Sequence, residues 1–243
     1  MFESTSVTPR GEVGDWASEV ASRPAPGSAT GDRPERAERR TLAALGTAMV
    51  AGPLAMTAWF LVEPSVLPRE DSRVFLESVA TSPDRYLAGT VLLGLAGALS
   101  VPAGVGFARL LRHRLPRLGA VIGLLMALSG LGLCAQIGFR AMVWSMVEPG
   151  SVPASSVETY ADFQTGGLFD VLVAPGLVFG GLATLLAVGS LLRVRVVPRW
   201  VPAAMVVGMV LASGEFADPV TVSGAAIGAV ANLWLARALL ARG

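Results

Sequence analysis

Seven polar residues near the ends of long apolar runs are the side chains in this sequence best suited to chemistry: Glu63, Gln136, Arg140, Glu148, Asp170, Glu215 and Asp218. Carboxylates in such places do one of three things: supply a general acid, attract cations, or mark a helix end in water. An arginine within an apolar run is costly in lipid unless a partner or the interface takes its charge. Arg140 lies one turn before Trp144, and Asp170 lies one turn into the next apolar run after Gly166 and Gly167. The two therefore sit at similar depth on consecutive helices, which are usually neighbours. A pair between them is the expectation, with Glu63, Glu215 and Asp218 as competing acids and snorkelling of Arg140 to headgroup phosphate as the alternative.

Other chemistry is missing from the pattern. There is no H-E-x-x-H, no G-x-x-x-x-G-K-[ST], no G-x-S-x-G and no dinucleotide fingerprint. Cys134 and His113 each stand alone, so neither a disulfide framework nor a metal spacing exists. No catalytic residue, metal or cofactor is expected.

These residues are carried by membrane spans. With 53% apolar and 15% charged residues over 243 positions, the chain is too apolar for a soluble domain of its size. A bilayer crossing needs about 20 mostly apolar residues. Six runs read as spans, over about 41–62, 86–111, 118–143, 167–192, 200–214 and 219–240, giving an all-α transmembrane bundle. The run from Leu118 to Pro149 is the organising one, holding Gln136 and Arg140 on one helical face. Pro102 and Pro175 fall inside the second and fourth spans, where a missing amide hydrogen favours a kink. The spacings Gly119/Gly123 and Gly176/Gly180 suit close helix approach.

Residues 1–40, rich in Pro, Ser, Gly and mixed charge, read as a disordered tail. Between spans one and two, Val74, Phe75 and Val79 would share one face of a short helix, and Ser82-Pro83 reads as an N-cap followed by proline. Ser155 and Glu158 fit a capping box opening another short helix with Val157, Tyr160 and Ala161 on one face.

Charge placement sets the orientation. Arginines crowd Arg33 to Arg40, the turns Arg109 to Arg117 and Arg193 to Arg199, and the C-terminal Arg237 and Arg242. Acidic residues after Glu38 fall on the other side, so both termini are expected in the cytoplasm of a cell with a plasma membrane. The bilayer is the expected partner, with no nucleic acid.

Two segments echo each other: Ala55-Met56 through Trp59 to Glu63-Pro64, and Ala141-Met142 through Trp144 to Glu148-Pro149. Leu110-Leu111-Arg112 with Pro116-Arg117 recurs as Leu191-Leu192-Arg193 with Pro198-Arg199. One reading is a parallel repeat of two-helix units, in which Glu63, Glu148 and Glu215 become equivalent and ring a cation-attracting vestibule. The other is that any membrane interface selects these residues.

From Ser82-Pro83-Asp84-Arg85-Tyr86 through Ala108-Arg109-Leu110-Leu111-Arg112 to Pro116-Arg117, the chain resembles uncharacterised six-helix bacterial integral membrane proteins of the actinobacterial type. The resemblance spans about Thr41 to Leu240 and implies the fold alone, because such families carry no assigned activity or site residues. Two classes of function remain: a non-enzymatic transporter or accessory subunit, and an intramembrane enzyme using Glu63, Asp170, Glu215 or Asp218 on a lipid or isoprenoid. Against the enzyme stands the aromatic content of 7%, too low for a pocket that must shelter carbocations.

The arginine asymmetry makes a direct prediction. A Ser155→Cys variant should react with a membrane-impermeant thiol reagent added outside the cell, and a Leu115→Cys variant should not. Labelling of both, or of position 115 alone, would overturn the orientation.

Overall fold

The structure, a computed structural model, describes residues 32–62, 71–148, 150–213 and 218–241, with backbone alone at 32–34, 168–170, 172, 213 and 218. The chain divides into two units, Met1–Glu38 and Arg39–Gly243. In the first, only residues 32–38 are described, and they are helical; the rest of the expected disordered tail lies outside the described residues.

Eight helices and no strand occur among the described residues: α1 Asp32–Val62, α2 Ser72–Thr81, α3 Pro83–Leu111, α4 Pro116–Ser145, α5 Ala154–Thr165, α6 Leu168–Val194, α7 Trp200–Ser213 and α8 Asp218–Leu240. Five of them, α1, α3, α4, α6 and α8, are long and apolar enough to cross a membrane, and α7 is a shorter apolar helix. The helices overrun the expected spans by a few residues, most of all α1, which starts at Asp32 and not at Thr41. Glu35, Arg36, Ala37, Glu38, Arg39 and Arg40 are good helix formers, and extending an existing helix needs no new nucleus.

Large apolar residues point outward. On α4, Leu124, Leu131 and Trp144 are exposed, as are Leu87, Val91 and Leu95 on α3. Such a surface suits lipid and no other solvent, and the chain is a helical membrane protein.

Small residues face inward and set how closely the helices pack. Along α3 and α4 the antiparallel register is Ala108 with Gly119, Gly104 with Gly123 and Gly97 with Gly130. A Cβ on Gly104 would lie 2.6 Å from the Gly123 carbonyl oxygen, and one on Gly123 would lie 2.8 Å from that of Gly104. On its other side α4 meets α6, where a Cβ on Gly132 would lie 2.6 Å from the Gly176 nitrogen. The α7–α8 hairpin closes in the same way at Gly208 and Gly224. Gly119, Gly123, Gly176 and Gly180 therefore all lie at helix crossings, as their spacing suggests. The seven-residue steps 97/104 and 123/130 carry the α3–α4 contact further than either four-residue pair.

Two apolar cores occupy opposite ends. At the end bearing the basic turns, Leu42, Leu45, Met49, Phe107, Leu110, Leu111, Leu191, Val201, Leu235 and Leu239 pack together. At the other end α2 and α5 form a cap, burying Phe75, Leu76, Val79 and Tyr160 against Tyr86, Phe139 and Val143.

The caps differ from expectation in detail. Val74 is exposed, and Leu76 takes its place beside Phe75 and Val79, since residues 75, 76, 79 and 80 make the continuous stripe of a helix. Asp71 caps α2, accepting from the Arg73 and Val74 amides at 2.8 and 3.3 Å. The Ser155/Glu158 capping box does not form: α5 begins at Ala154 behind Pro153, so Ser155 is already inside the helix and its carbonyl accepts from the Thr159 hydroxyl. Ser82 does precede α3 with Pro83 in its first turn, though through its carbonyl, which accepts from the Tyr86 amide at 3.2 Å, and not through its side chain.

The crossing predicts a sharp contrast within α4. Gly130→Val would drive a side chain into the Gly97 carbonyl and should lower thermal stability in detergent by at least the roughly 1–3 kcal/mol typical of overpacking. Gly138→Ala, with open space around it, should be neutral or stabilising. Equal losses in the two variants would show that the α3–α4 crossing does not depend on backbone approach.

Candidate functional site

Arg140 is only 5% exposed, so its guanidinium does not snorkel to headgroups but is spent inside the protein. It sits on the face of α4 that meets α3, above the glycine crossing. Its Nε donates to the Thr90 hydroxyl at 2.9 Å, and its Nη2 donates to the Tyr86 carbonyl at 3.3 Å. The Thr90 hydroxyl passes its own hydrogen to that same carbonyl at 2.8 Å. Above the guanidinium lies the Tyr86 ring, with its centroid 4.1 Å from Cζ.

Magnitudes favour this arrangement. An arginine at the middle of a span costs about 2.5–3.5 kcal/mol on insertion scales. A hydrogen bond from a charged donor is worth about 1.5–3 kcal/mol, and a desolvated cation–π contact about 2. Together they offset the burial of Arg140 without help from lipid phosphate.

The Tyr86 ring opens a chain of aromatic contacts into the cap. Phe75 meets it edge-on at 6.3 Å, Tyr160 stacks on Phe75 at 5.3 Å, and Phe139 lies 6.1 Å from Tyr160 and 5.0 Å from Phe163. Burial pushes the Tyr160 hydroxyl well above the usual tyrosine range, with a hydrogen bond to Gln164 acting the other way. Gln164 in turn accepts from the Ser72 hydroxyl at 3.1 Å, tying α5 to α2.

The remaining expected residues divide. Gln136, half-buried, lies over Gly176 at the α4–α6 crossing. Glu148 is exposed in a tight turn, where its amide and carbonyl both bond to Ser151 and its carboxylate lies 3.5 Å from the Ser151 hydroxyl. Asp170 is in the first turn of α6 and Asp218 opens α8, but their side chains lie outside the described residues, as do Glu63 and Glu215 entirely. Tyr86 and Thr90, which meet Arg140, are not among the residues expected from the sequence. Their signal is that they continue the Gly97/Gly104 face of α3, with Thr90 seven residues before Gly97 and Tyr86 one turn earlier.

Between the helices, next to the core at the basic end, lies a partly open cavity of about 140 Å³. Its polar lining is Ser100 from α3, Ser129 from α4, Thr184 from α6 and Asn232 from α8, and Phe107, Met126 and Met205 are among its apolar walls. Ser129 donates to the Gly176 carbonyl at 2.7 Å, joining α4 to α6 beside the cavity. No group of three His, Cys, Asp or Glu side chains able to hold a metal occurs among the described residues.

Residues 44–243 match the model of a family described as a domain of unknown function, DUF4386. No curated protein and no solved structure matches the chain.

The arginine site is testable by a double-mutant cycle. Thr90→Val removes one acceptor from a buried charge and should cost about 1–3 kcal/mol of stability. In an Arg140→Gln background the same change should cost clearly less, because the group it served is gone. Equal costs in the two backgrounds would break the link between Thr90 and Arg140.

Proposed function

The chain belongs to the DUF4386 family, a domain of unknown function, and on that premise we propose that it is a small non-enzymatic transporter of the bacterial cell membrane. The observation carrying this reading is the cavity of about 140 Å³ where α3, α4, α6, α7 and α8 converge. Transporters hold their substrates near the midplane between helices. An accessory subunit needs no such space, and lipid chemistry would call for an opening beside paired carboxylates.

The same reading takes α7 as a sixth span and puts both termini in the cytoplasm. All basic turns lie at one end of the bundle, and Asp71, Glu77, Asp84, Glu148, Glu158 and Asp162 lie at the other. At 14 residues, α7 spans roughly 21 Å at 1.5 Å per residue, which local thinning of the bilayer accommodates. A parallel repeat has support in the order of elements. Both α1–α2–α3 and α4–α5–α6 read as long, short, long, and α7–α8 forms a hairpin without the short helix.

Comparison of exported and lipid metabolites with and without the gene tests the proposal. A change confined to exported small molecules is expected, restored by the wild-type gene and not by an Ala183→Leu variant, which fills the cavity. A change in lipid species alone would move the protein to the enzyme class. Full restoration by a folded Ala183→Leu variant would show that the cavity is not the path.

A further inference from the structure

The cavity's polar lining is rich in acceptors. Ser100 Oγ donates to the Ala96 carbonyl at 2.9 Å, Ser129 Oγ to Gly176 at 2.7 Å, Thr184 Oγ1 to Gly180 at 2.9 Å, and Asn232 Nδ2 to Gly228 at 2.9 Å. A carbonyl only accepts, so each hydroxyl hydrogen is committed to the helix backbone. What the three hydroxyls turn toward the space is oxygen lone pairs. Asn232 adds its carboxamide oxygen, which accepts no hydrogen bond among the described residues.

The apolar walls carry the same polarity. Met126 and Met205 bring thioether sulfurs, which are weak acceptors, and Phe107 brings an aromatic ring with a negative face. Among the described residues, no arginine, histidine or carboxylate lines the cavity. An anion would meet lone pairs at all three hydroxyls and would exchange its hydration for a single free donor, the second amide hydrogen of Asn232. A donor-bearing cation would meet acceptor oxygens for its donors, and the walls formed by Phe107, Met126 and Met205 for its alkyl body.

Size narrows the class. A cavity of about 150 Å³ accepts benzene, so a space of about 140 Å³ holds a ligand of similar bulk. A bare metal ion would leave most of it unfilled and would find no carboxylate there. An ammonium group with a short alkyl body fills the volume, donates to the hydroxyl and amide oxygens, and is less strongly hydrated than a small inorganic ion.

We propose that this cavity is a binding site for a small alkylammonium ion. The inference rests on the transporter reading for its biological use, but binding is measured without transport.

Three probes share one shape and differ in charge: tert-butylammonium, tert-butyl alcohol and pivalate. Calorimetric titration of each into the full chain, held in phosphatidylcholine nanodiscs with empty discs as the blank, should show saturable binding of tert-butylammonium. The alcohol should bind at least tenfold more weakly, and pivalate not at all. Thr184→Val keeps the side-chain shape and removes one oxygen, and Asn232→Leu removes the amide. Each should weaken the ammonium at least several-fold without changing the unfolding temperature by more than a few degrees. Because the Asn232 amide also bonds to Gly228, Thr184→Val carries the test if Asn232→Leu does not fold. Equal binding of ammonium and alcohol, binding of pivalate, or no binding of any probe would each overturn the inference. None of these results touches the exported-metabolite comparison, by which the transporter reading stands or falls separately.

Discussion

Lipid offers two apolar helices no hydrophobic reason to associate, so this bundle depends on how closely backbones can approach. Helix α4 is held on both sides in that way, against α3 through Gly97, Gly104, Gly123 and Gly130, and against α6 through Gly132 and Gly176. Where backbone meets backbone, a carbonyl comes within reach of a neighbouring helix. The Ser129 hydroxyl uses this to bond the Gly176 carbonyl, a contact that longer side chains at the crossing would prevent. The placement of α4 thus sets where Ser129 and Arg140 find their partners.

Arg140 illustrates the dependence. The register that places Gly130 on Gly97 carries Arg140, ten residues further along α4, to the level of Thr90 and the Tyr86 carbonyl. Slippage by one residue would turn the guanidinium away from both. Because the Tyr86 ring also lies against Phe75 and through it against Tyr160, the buried charge is packed continuously with the two cap helices. The cap shields the site from water and the site gives the cap an anchor, so the two are one structural unit.

How much of this was legible in the sequence depended on range. The spans are a property of local hydropathy, and a helix lies at each of the six runs within a few residues of the expected ends, except that α1 starts well before Thr41, at Asp32. Short helices α2 and α5 show in their apolar periodicity, but their starts do not, because Asp71 caps α2 from outside its apolar stripe and α5 begins behind Pro153 with no side-chain cap. The surroundings of Arg140 were the least legible. Depth along a helix can be counted from a tryptophan, and that pointed to Asp170 on α6. Rotation about the helix axis cannot be counted so, and the Thr90 hydroxyl, the Tyr86 carbonyl and the Tyr86 ring that meet Arg140 from α3 could not be read in that way; the Asp170 side chain lies outside the described residues. The seven-residue recurrence of Thr90, Gly97 and Gly104 held that information, since residues so spaced on a membrane helix face one partner.

The acceptor character of the cavity follows from the same constraints. A serine or threonine within a membrane helix has no water for its hydrogen, and the carbonyl one turn back is the acceptor always at hand. Ser100 and Thr184 take that route, Asn232 does so with its amide, and Ser129 reaches across to α6. Satisfying the hydroxyl donors in this way leaves chiefly lone pairs as what the lining presents. Gly180, Ala183 and Ala187 on α6 meanwhile keep the wall low enough to leave a space, where larger residues would have closed the bundle. A polar void in lipid surroundings thus acquires a preference for donors and cations from backbone hydrogen-bonding rules alone, with no charged residue needed to create it.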